Sequence, residues 1–171
     1  MEIRQLKKIL KKTRKHFITI ACVLFIANTS FPDSNADLII AAKNGNLSGI
    51  KTALQNEANV NTVDIHGSNA LLYAIINNHF EIVKYLLNNG AEINGKSVYH
   101  YESPVPQRPY VSISLIFTPL IASSYFNRFE ILKYLVENGA EVNVEGDYSR
   151  SALWYACIYN HYEIAKYILQ K

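Results

Sequence analysis

The sequence is poor in the residues and motifs that mark disulfide-stabilised proteins and common enzymes. Its 171 residues include only two cysteines, Cys22 and Cys157, so they cannot form the multiple cross-links of a disulfide scaffold. No G-x-S-x-G, phosphate-binding loop or dinucleotide-binding glycine pattern occurs in the chain. We therefore expect neither a disulfide scaffold nor an enzyme.

Metal ligands at a recognisable spacing are also missing. His79 and His161 each stand two residues before a glutamate, like the H-x-E half of a zinc deaminase signature, but the required P-C-x-x-C half is absent. His66 and His100 are isolated and have no second ligand at metal spacing. We predict no metal, no cofactor and no catalytic residues.

A basic face is absent once the N-terminus is set aside. Residues 1–16 hold seven Lys and Arg against one acid, and without them ten Lys and Arg face thirteen Asp and Glu. The net charge of +3 thus becomes −3. Because cationic phosphate contacts dominate nucleic-acid binding, we predict no nucleic-acid partner.

The longest apolar run, residues 17–27, has 11 residues, whereas a bilayer span needs about 20. A cationic stretch precedes it and Asn28, Thr29 and Ser30 follow, which is the layout of a secretory signal peptide. We predict a signal at 1–30, export to the periplasm or the medium, and no membrane association after its removal. The alternatives are an uncleaved membrane anchor, a basic amphipathic helix on a membrane surface, and a weak lipoprotein site at Cys22.

The remaining sequence repeats itself. The segment 80–94, FEIVKYLLNNGAEIN, returns at 129–143 as FEILKYLVENGAEVN and again, shortened, at 162–169 as YEIAKYIL. The aligned positions Asp37, Ala70, Pro119 and Ala152 are 33, 49 and 33 residues apart. Repetition at a fixed period indicates stacked units that are stable only as an array.

Each unit carries two apolar stripes at helical spacing, and the Gly90 and Gly139 positions indicate left-handed residues that end second helices. In the first unit Glu57 takes this place, at an expected cost of about 1 kcal/mol. Lys84, three residues after Glu81, predicts a helix-surface ion pair.

The 33-residue period and the motifs resemble the ankyrin repeat family. Thr118-Pro119-Leu120 is similar to its T-P-L-H start, residues 64–67 to its D-x-x-G turn, and residues 78–81 and 160–163 to its G-H-x-E. The resemblance implies an all-α ankyrin-repeat solenoid of about four helix–turn–helix units. We place the domain at 31–171, with repeats at about 35–63, 64–95, 114–146 and 147–171.

The resemblance also implies roles for single residues. Cys157 falls where the family has a small buried alanine, so we expect a core thiol. Ile164, Ile168 and Leu169 have no following repeat to cover them, so we expect a partly uncapped end. Weak self-association through this end is the alternative function, that of a structural, self-assembling protein.

Sixteen extra residues lie between repeats 2 and 3, in an insertion at about 95–117. Residues 98–101 and 110–115 carry β-branched and aromatic side chains, and a proline-rich segment separates them, so we predict a β-hairpin-like extension of the fingertip loop. Insertions of this kind often lie on the binding face. An inert surface loop is the alternative. The candidate contact residues of the insertion are Tyr99, Tyr101, Arg108 and Tyr110.

By resemblance, ankyrin proteins bind partners with fingertips and with the two residues that end each first helix. Carried over, these positions include Ile65, His66, Ile76, Asn77, Tyr125, Phe126, Tyr148, Arg150, Ile158 and Tyr159. Repeat 3 would add Ser114, Leu115 and Phe117, which the insertion places in doubt. Packing between repeats is the alternative role for these side chains. The predicted function is protein–protein binding without chemistry, and the Asn-, Ile-, Lys- and Tyr-rich composition looks like that of an AT-rich bacterial genome, in which exported ankyrin proteins are often suspected effectors.

Overall fold

The computed structural model describes residues 33–102 and 112–171, with the backbone alone described at 101, 102, 112 and 113. This part of the chain contains eight α-helices and two strands. In chain order they are α1 (Ser34–Lys43), α2 (Leu47–Gln55), α3 (Ala70–Ile76), α4 (Phe80–Asn88), β1 (Ser97–Glu102), β2 (Ser112–Phe117), α5 (Pro119–Tyr125), α6 (Phe129–Glu137), α7 (Ala152–Ile158) and α8 (Tyr162–Ile168). The signal predicted at 1–30 lies outside the described residues.

Polar side chains set where the first helices begin. Asn69 accepts a hydrogen bond from the backbone N–H of Leu72 at 2.8 Å, and Thr118 and Ser151 occupy the same N-cap position of α5 and α7. Such caps satisfy backbone donors that have no partner inside the helix. The Asn, Thr or Ser before the apolar stripe therefore fixes the start of the first helix in repeats 2, 3 and 4.

Left-handed residues make the turns between helices. Asn78, Asn127 and Asn160 join the two helices of repeats 2, 3 and 4 at φ of 60°, 55° and 57°. After the second helices, Gly90 has φ of 91° and Glu57 has φ of 64°, so the predicted left-handed place of Glu57 is confirmed. Asparagine is the residue other than glycine that adopts this conformation most readily, which explains its use in three of the four helix–helix turns.

The core runs through the stack because the first helices pack on one another in succession, α1 on α3, α3 on α5 and α5 on α7. The second helices pack on their own first helices and touch each other less. Leu38, Ile75, Leu120 and Ile164 are among the fully buried side chains. No single helix pair encloses these residues, so burial depends on neighbouring repeats.

Side chains that bridge repeats add polar links to this packing. A guanidinium nitrogen of Arg128 donates to the carbonyl of Ile76 at 2.6 Å, and His161 Nδ1 lies 2.7 Å from the carbonyl of Ser124. His79, at the same place in repeat 2, lies 3.4 Å from the carbonyl of Lys43. The histidines of the H-x-E segments therefore have a structural role, linking each repeat to the one before it.

The insertion contains the predicted two-stranded sheet. β1 pairs antiparallel with β2, with Tyr99 opposite Leu115 and Val98 opposite Ile116. The N–H of Val98 donates to the carbonyl of Gly67 in the repeat 2 fingertip, and the N–H of Ile116 donates to the Asp147 carboxylate in the repeat 4 fingertip. The hairpin thus takes the place of the repeat 3 fingertip and joins the fingertips on either side.

The expectations for the C-terminal repeat hold only in part. Leu169 is 72% exposed, as expected of a partly uncapped end, but Ile164 and Ile168 are buried in the core, so the expectation that they lack cover is wrong. Cys157 is exposed rather than buried. Its counterpart in repeat 3, Ser124, is buried and donates a hydrogen bond to the carbonyl of Ala152 in repeat 4, whereas Cys157 has no such cover among the described residues.

Within 33–102 and 112–171, none of the helices combines the length and the apolar character that a membrane crossing requires.

Candidate functional site

The first helices of repeats 2 to 4 present an uncharged surface. None of the three segments 70–76, 119–125 and 152–158 contains Asp, Glu, Lys or Arg. The charged residues of these repeats lie on the second helices and in the loops, and on α4 Glu81 pairs with Lys84 at 2.6 Å as predicted. A partner that binds at the first helices therefore meets apolar and aromatic groups.

Aromatic rings collect where the first helices end and the hairpin begins. Tyr99 of β1 stacks on Phe117 of β2 with ring centroids 5.8 Å apart, and Phe117 lies 5.2 Å from Tyr125 at the end of α5. Tyr125 in turn lies 5.1 Å from Tyr159, which follows α7. We call the whole group the aromatic cluster: Tyr99, Phe117, Tyr125, Phe126, Tyr155 and Tyr159.

The cluster has a buried floor and a partly exposed surface. Phe117 and Tyr155 are 1% and 2% exposed, whereas Tyr159 is 48% exposed. Tyr125 and Phe126 are half-buried and 4.8 Å apart in an edge-on arrangement. Edge-on ring pairs contribute roughly 0.5–1.5 kcal/mol beyond their burial, so the floor holds the upper rings in place.

Sequence reasoning misses the floor of this site, Phe117 and Tyr155. Phe117 and Leu115 are candidate fingertip contacts by resemblance, yet both are buried, because alternate residues of β2 point toward the repeats. Tyr155 is equivalent to Tyr73 of repeat 2 and Ala122 of repeat 3 by the repeat spacing. Its buried hydroxyl has a raised pKa, mainly because of burial, and the hydrogen bond and charge of Arg150 partly oppose this shift.

The repeat 4 fingertip carries an exposed aromatic and cationic group. The Arg150 guanidinium lies 4.8 Å from the centroid of the Tyr148 ring and 4.6 Å from that of Trp154. Tyr148 is 78% exposed, and it and Ser149 are both left-handed, with φ of 57° and 54°. Such residues cost about 1–2 kcal/mol each, and the exposed Tyr148 ring gains little burial in return.

The repeat 2 fingertip is built around Asp64. Its carboxylate accepts hydrogen bonds from the N–H groups of His66 and Ser68 and from the Tyr73 hydroxyl, at 2.8, 3.0 and 2.7 Å. Burial acts to raise the pKa of Asp64, but these bonds outweigh it and leave the pKa below its usual value. Burial, reinforced by the bond to Asp64, raises the pKa of Tyr73.

His66 and His100 meet at the contact between this fingertip and the hairpin. Their rings are 5.2 Å apart, and His100 Nε2 lies 2.7 Å from the carbonyl of His66. The other ring nitrogen of His100 faces the Ser114 hydroxyl at 3.0 Å. Over 33–102 and 112–171, no group of three or more metal-binding side chains forms.

The predicted contact residues fall into three groups. Tyr99, Tyr125, Phe126 and Tyr159 lie together in the aromatic cluster, beside the repeat 4 residues Tyr148 and Arg150. The second group lies outside the cluster. Ile65, His66 and Ile158 are exposed, Ile65 at 96% and Ile158 at 57%. Ile76 is half-buried against the core, and the Asn77 side chain donates to the carbonyls of Lys43 and Tyr73. The third group is Tyr101, Arg108 and Tyr110, whose side chains are outside the described part of the chain.

A family model described as "Ankyrin repeats (3 copies)" matches residues 14–97 and 112–171, most of the chain. The chain therefore belongs to the ankyrin repeat family, whose repeats in general mediate protein–protein interactions and are typically non-enzymatic.

The chain is also similar to "Ankyrin repeat and SAM domain-containing protein 6" from Rattus norvegicus, with 39% identity over 62 residues. The match covers 36% of this chain and 7% of that protein, so the chain spans a small part of the curated relative.

Proposed function

We propose that this chain is an exported, non-enzymatic module whose ankyrin solenoid binds another protein through its fingertips and the ends of its first helices. The aromatic cluster is the observation that carries this proposal. It is uncharged, it extends from the hairpin across repeats 3 and 4, and its upper rings are partly exposed. Tyrosine is enriched among the residues that dominate binding energy at protein interfaces.

The packing of the stack supports recognition by a rigid surface. The buried Phe117 and Tyr155 hold the upper rings from below, and the hairpin is joined to the fingertips of repeats 2 and 4. A surface that is ordered before binding loses little conformational entropy when it binds. The cluster therefore suits a partner that brings its own apolar anchor.

The experiment identifies a partner by pull-down and mass spectrometry and then measures its affinity for purified variants. We expect Tyr125→Ala plus Tyr159→Ala to weaken binding about 30-fold or more, since truncating a hot-spot aromatic costs about 2 kcal/mol. Tyr162→Ala is the matched control, because Tyr162 is a 69% exposed tyrosine on the second helix of repeat 4. Thermal melts of each variant check its folding.

Tyr125 is half-buried and contributes to the core, so the double variant loses packing as well as partner contact. Tyr159→Ala alone measures the loss of partner contact, because Tyr159 is exposed. Wild-type affinity in the double variant, or an equal loss in Tyr162→Ala, would contradict binding at the cluster.

Self-association is a second candidate, favoured by the end of repeat 4. Trp154, Ile158, Tyr162 and Leu169 are all exposed there, at 38%, 57%, 69% and 72%. Light scattering over a concentration series tests this candidate. A rise in mass that Leu169→Lys abolishes would support it, and a monomer at all concentrations would exclude it.

A further inference from the structure

We propose that Arg150 binds a side-chain carboxylate of an extended partner segment whose neighbouring apolar residue contacts the aromatic cluster. This inference rests on the proposed function and specifies the chemistry of the partner. It predicts that an aspartate or glutamate of the partner is recognised at the repeat 4 fingertip.

Aromatic contacts hold the Arg150 side chain in place. Its guanidinium lies over the rings of both Tyr148 and Trp154, at 4.8 and 4.6 Å from their centroids. Arginine packed on aromatic rings keeps its planar donors in a fixed orientation. The side chain carries five N–H donors, more than these contacts use, so donors remain for a ligand.

Arg150 has no carboxylate partner in the described part of the chain. No Asp or Glu of residues 33–102 and 112–171 comes within salt-bridge distance of it. The nearest acid in sequence, Asp147, uses its Oδ2 atom to accept the N–H of Ile116 at 2.7 Å. A half-buried guanidinium without an anion is matched best by a carboxylate, which it binds through two parallel hydrogen bonds.

The backbone next to Arg150 is strained. Tyr148 and Ser149 are both left-handed, whereas repeat 2 uses Gly67, with φ of 82°, where repeat 4 has Ser149. Strain at exposed residues whose own packing does not compensate for it is typical of binding sites. The strained turn holds Tyr148 outward beside Arg150, where its ring is 78% exposed.

The repeat 4 fingertip also continues into the aromatic cluster. Trp154 lies 5.0 Å from Tyr155, and Tyr155 stacks on Tyr159 at 6.4 Å. Arg150, Trp154, Tyr155 and Tyr159 follow one another in steps of 4.6, 5.0 and 6.4 Å, and an extended chain advances about 3.3 Å per residue, so an acidic residue at Arg150 and an apolar residue at Tyr159 are at most about five residues apart. Fingertip and cluster thus form one surface for a single segment.

The test pans a random peptide library, displayed on phage, against the immobilised full-length chain and in parallel against Arg150→Gln. We expect the unchanged chain to select peptides with Asp or Glu within about five residues of a large apolar residue. Selection on Arg150→Gln keeps the apolar preference and loses the acidic one. Lys133→Gln, which removes an exposed lysine from a second helix, is the matched control and retains both preferences.

A selected peptide is then synthesised with an amidated C-terminus, so that its only carboxylate is the side chain. We expect replacement of that acid by its amide to weaken binding at least about tenfold, and the same replacement to have little effect on Arg150→Gln. Arg150→Lys keeps the charge but not the planar fork, so its loss of affinity on this replacement should lie between those of the unchanged chain and Arg150→Gln. This variant remains informative if Arg150→Gln folds poorly.

The outcomes separate the two proposals. Selected peptides without an acidic preference, or an acidic preference that survives in Arg150→Gln, would overturn the carboxylate inference and leave the binding function standing. Selection that depends on neither Arg150 nor Tyr125 and Tyr159 would overturn both proposals. Loss of the acidic preference in Arg150→Gln alone would support the inference.

Discussion

Single residues with positive φ follow the ends of seven of the eight helices of the described stack. Gly45, Asn78, Asn127 and Asn160 make the four helix–helix turns, and Gly90 and Gly139 end the second helices of repeats 2 and 3. A Cβ added at Gly90 would meet no neighbouring atom within 4 Å, so glycine is required there by backbone conformation and not by lack of space. The same reasoning identifies Glu57 as a weak point, because its side chain is exposed and its backbone is strained.

We predict that Glu57→Gly stabilises the protein by about 0.5–1 kcal/mol, since glycine adopts φ near 64° without the steric cost of a Cβ. Urea unfolding curves measure the change. Glu92→Gly, at another exposed loop glutamate that lacks a positive φ, is the control and should not gain stability. An unchanged or lower midpoint for Glu57→Gly would show that the left-handed backbone is not costly here.

Asp64 should make part of the stability depend on pH. Hydrogen bonds to its carboxylate hold the folded pKa below the usual value, so Asp64 stabilises the fold above the unfolded pKa and loses this effect as pH falls through the folded pKa. We predict that Asp64→Asn lowers the free energy of unfolding at pH 7 by about 1 kcal/mol, through weaker hydrogen bonds in the fingertip.

The difference between wild type and Asp64→Asn should shrink as the pH is lowered from about 4 through the folded pKa, because the wild-type carboxyl becomes protonated. Unfolding curves at a series of pH values from neutral down to about 3 follow this change. A difference that stays constant down to the lowest pH at which the protein folds would contradict the role given to the ionised carboxylate.

At the level of helices and strands, the hairpin packs as part of the stack. Phe117 of β2 is buried among Tyr99, Tyr125 and Tyr155, so the start and end of the insertion belong to the core.

The side chain that links one repeat to the next differs between repeats. Arg128 replaces the histidine found at 79 and 161 and reaches the carbonyl of the preceding first helix. Its Nε is buried and unpaired among the described residues.

We predict that Arg128→Ala destabilises the protein by about 1–2 kcal/mol, because it leaves the carbonyl of Ile76 without its partner. Arg128→His should cost less, since a histidine fills this role in repeats 2 and 4 and the orphaned Nε is removed. Chemical denaturation gives the free energies, with Lys133→Ala, an exposed site in the next helix, as a near-neutral reference. Equal losses for Arg128→Ala and Lys133→Ala would show that the link is unimportant.

Across the molecule as a whole, the charge distribution separates the first 16 residues from the rest. They supply seven cations against one acid and are followed by 11 apolar residues, whereas the remaining chain has a net charge of −3. This arrangement motivates the proposal of export, and it accounts for the basic overall pI of about 8.8 without a basic binding face.

We predict that residues 1–30 are removed during export. The measurement is the intact mass of the protein recovered from the exported fraction of expressing cells. Replacing the apolar residues Val23 and Leu24 with lysine should block export, while the same change at exposed residues of a second helix, such as Glu130 and Glu137, should not. A mature chain that still begins at Met1 would favour the uncleaved anchor.

The repeat period, the helix pairs and the left-handed turn positions could be predicted from the sequence, because local rules govern them. Capping residues, apolar spacing and residues that tolerate positive φ act within a few positions along the chain, and they predicted the left-handed positions of Gly90, Gly139 and Glu57. The approximate place of the hairpin also followed from alternating residues at 111, 113 and 115.

The grouping of side chains on one surface required the folded stack, because it depends on what each repeat packs against. Cys157 and Ser124 occupy equivalent positions, yet Cys157 is exposed and Ser124 is buried, since repeat 4 covers Ser124 and none of the described residues covers Cys157 in the same way. Contacts between distant segments likewise brought Tyr99 and Phe117 to Tyr125 and Tyr155. The repeat pattern placed each ring on its helix or strand, and the stacking of repeats assembled the rings into one cluster.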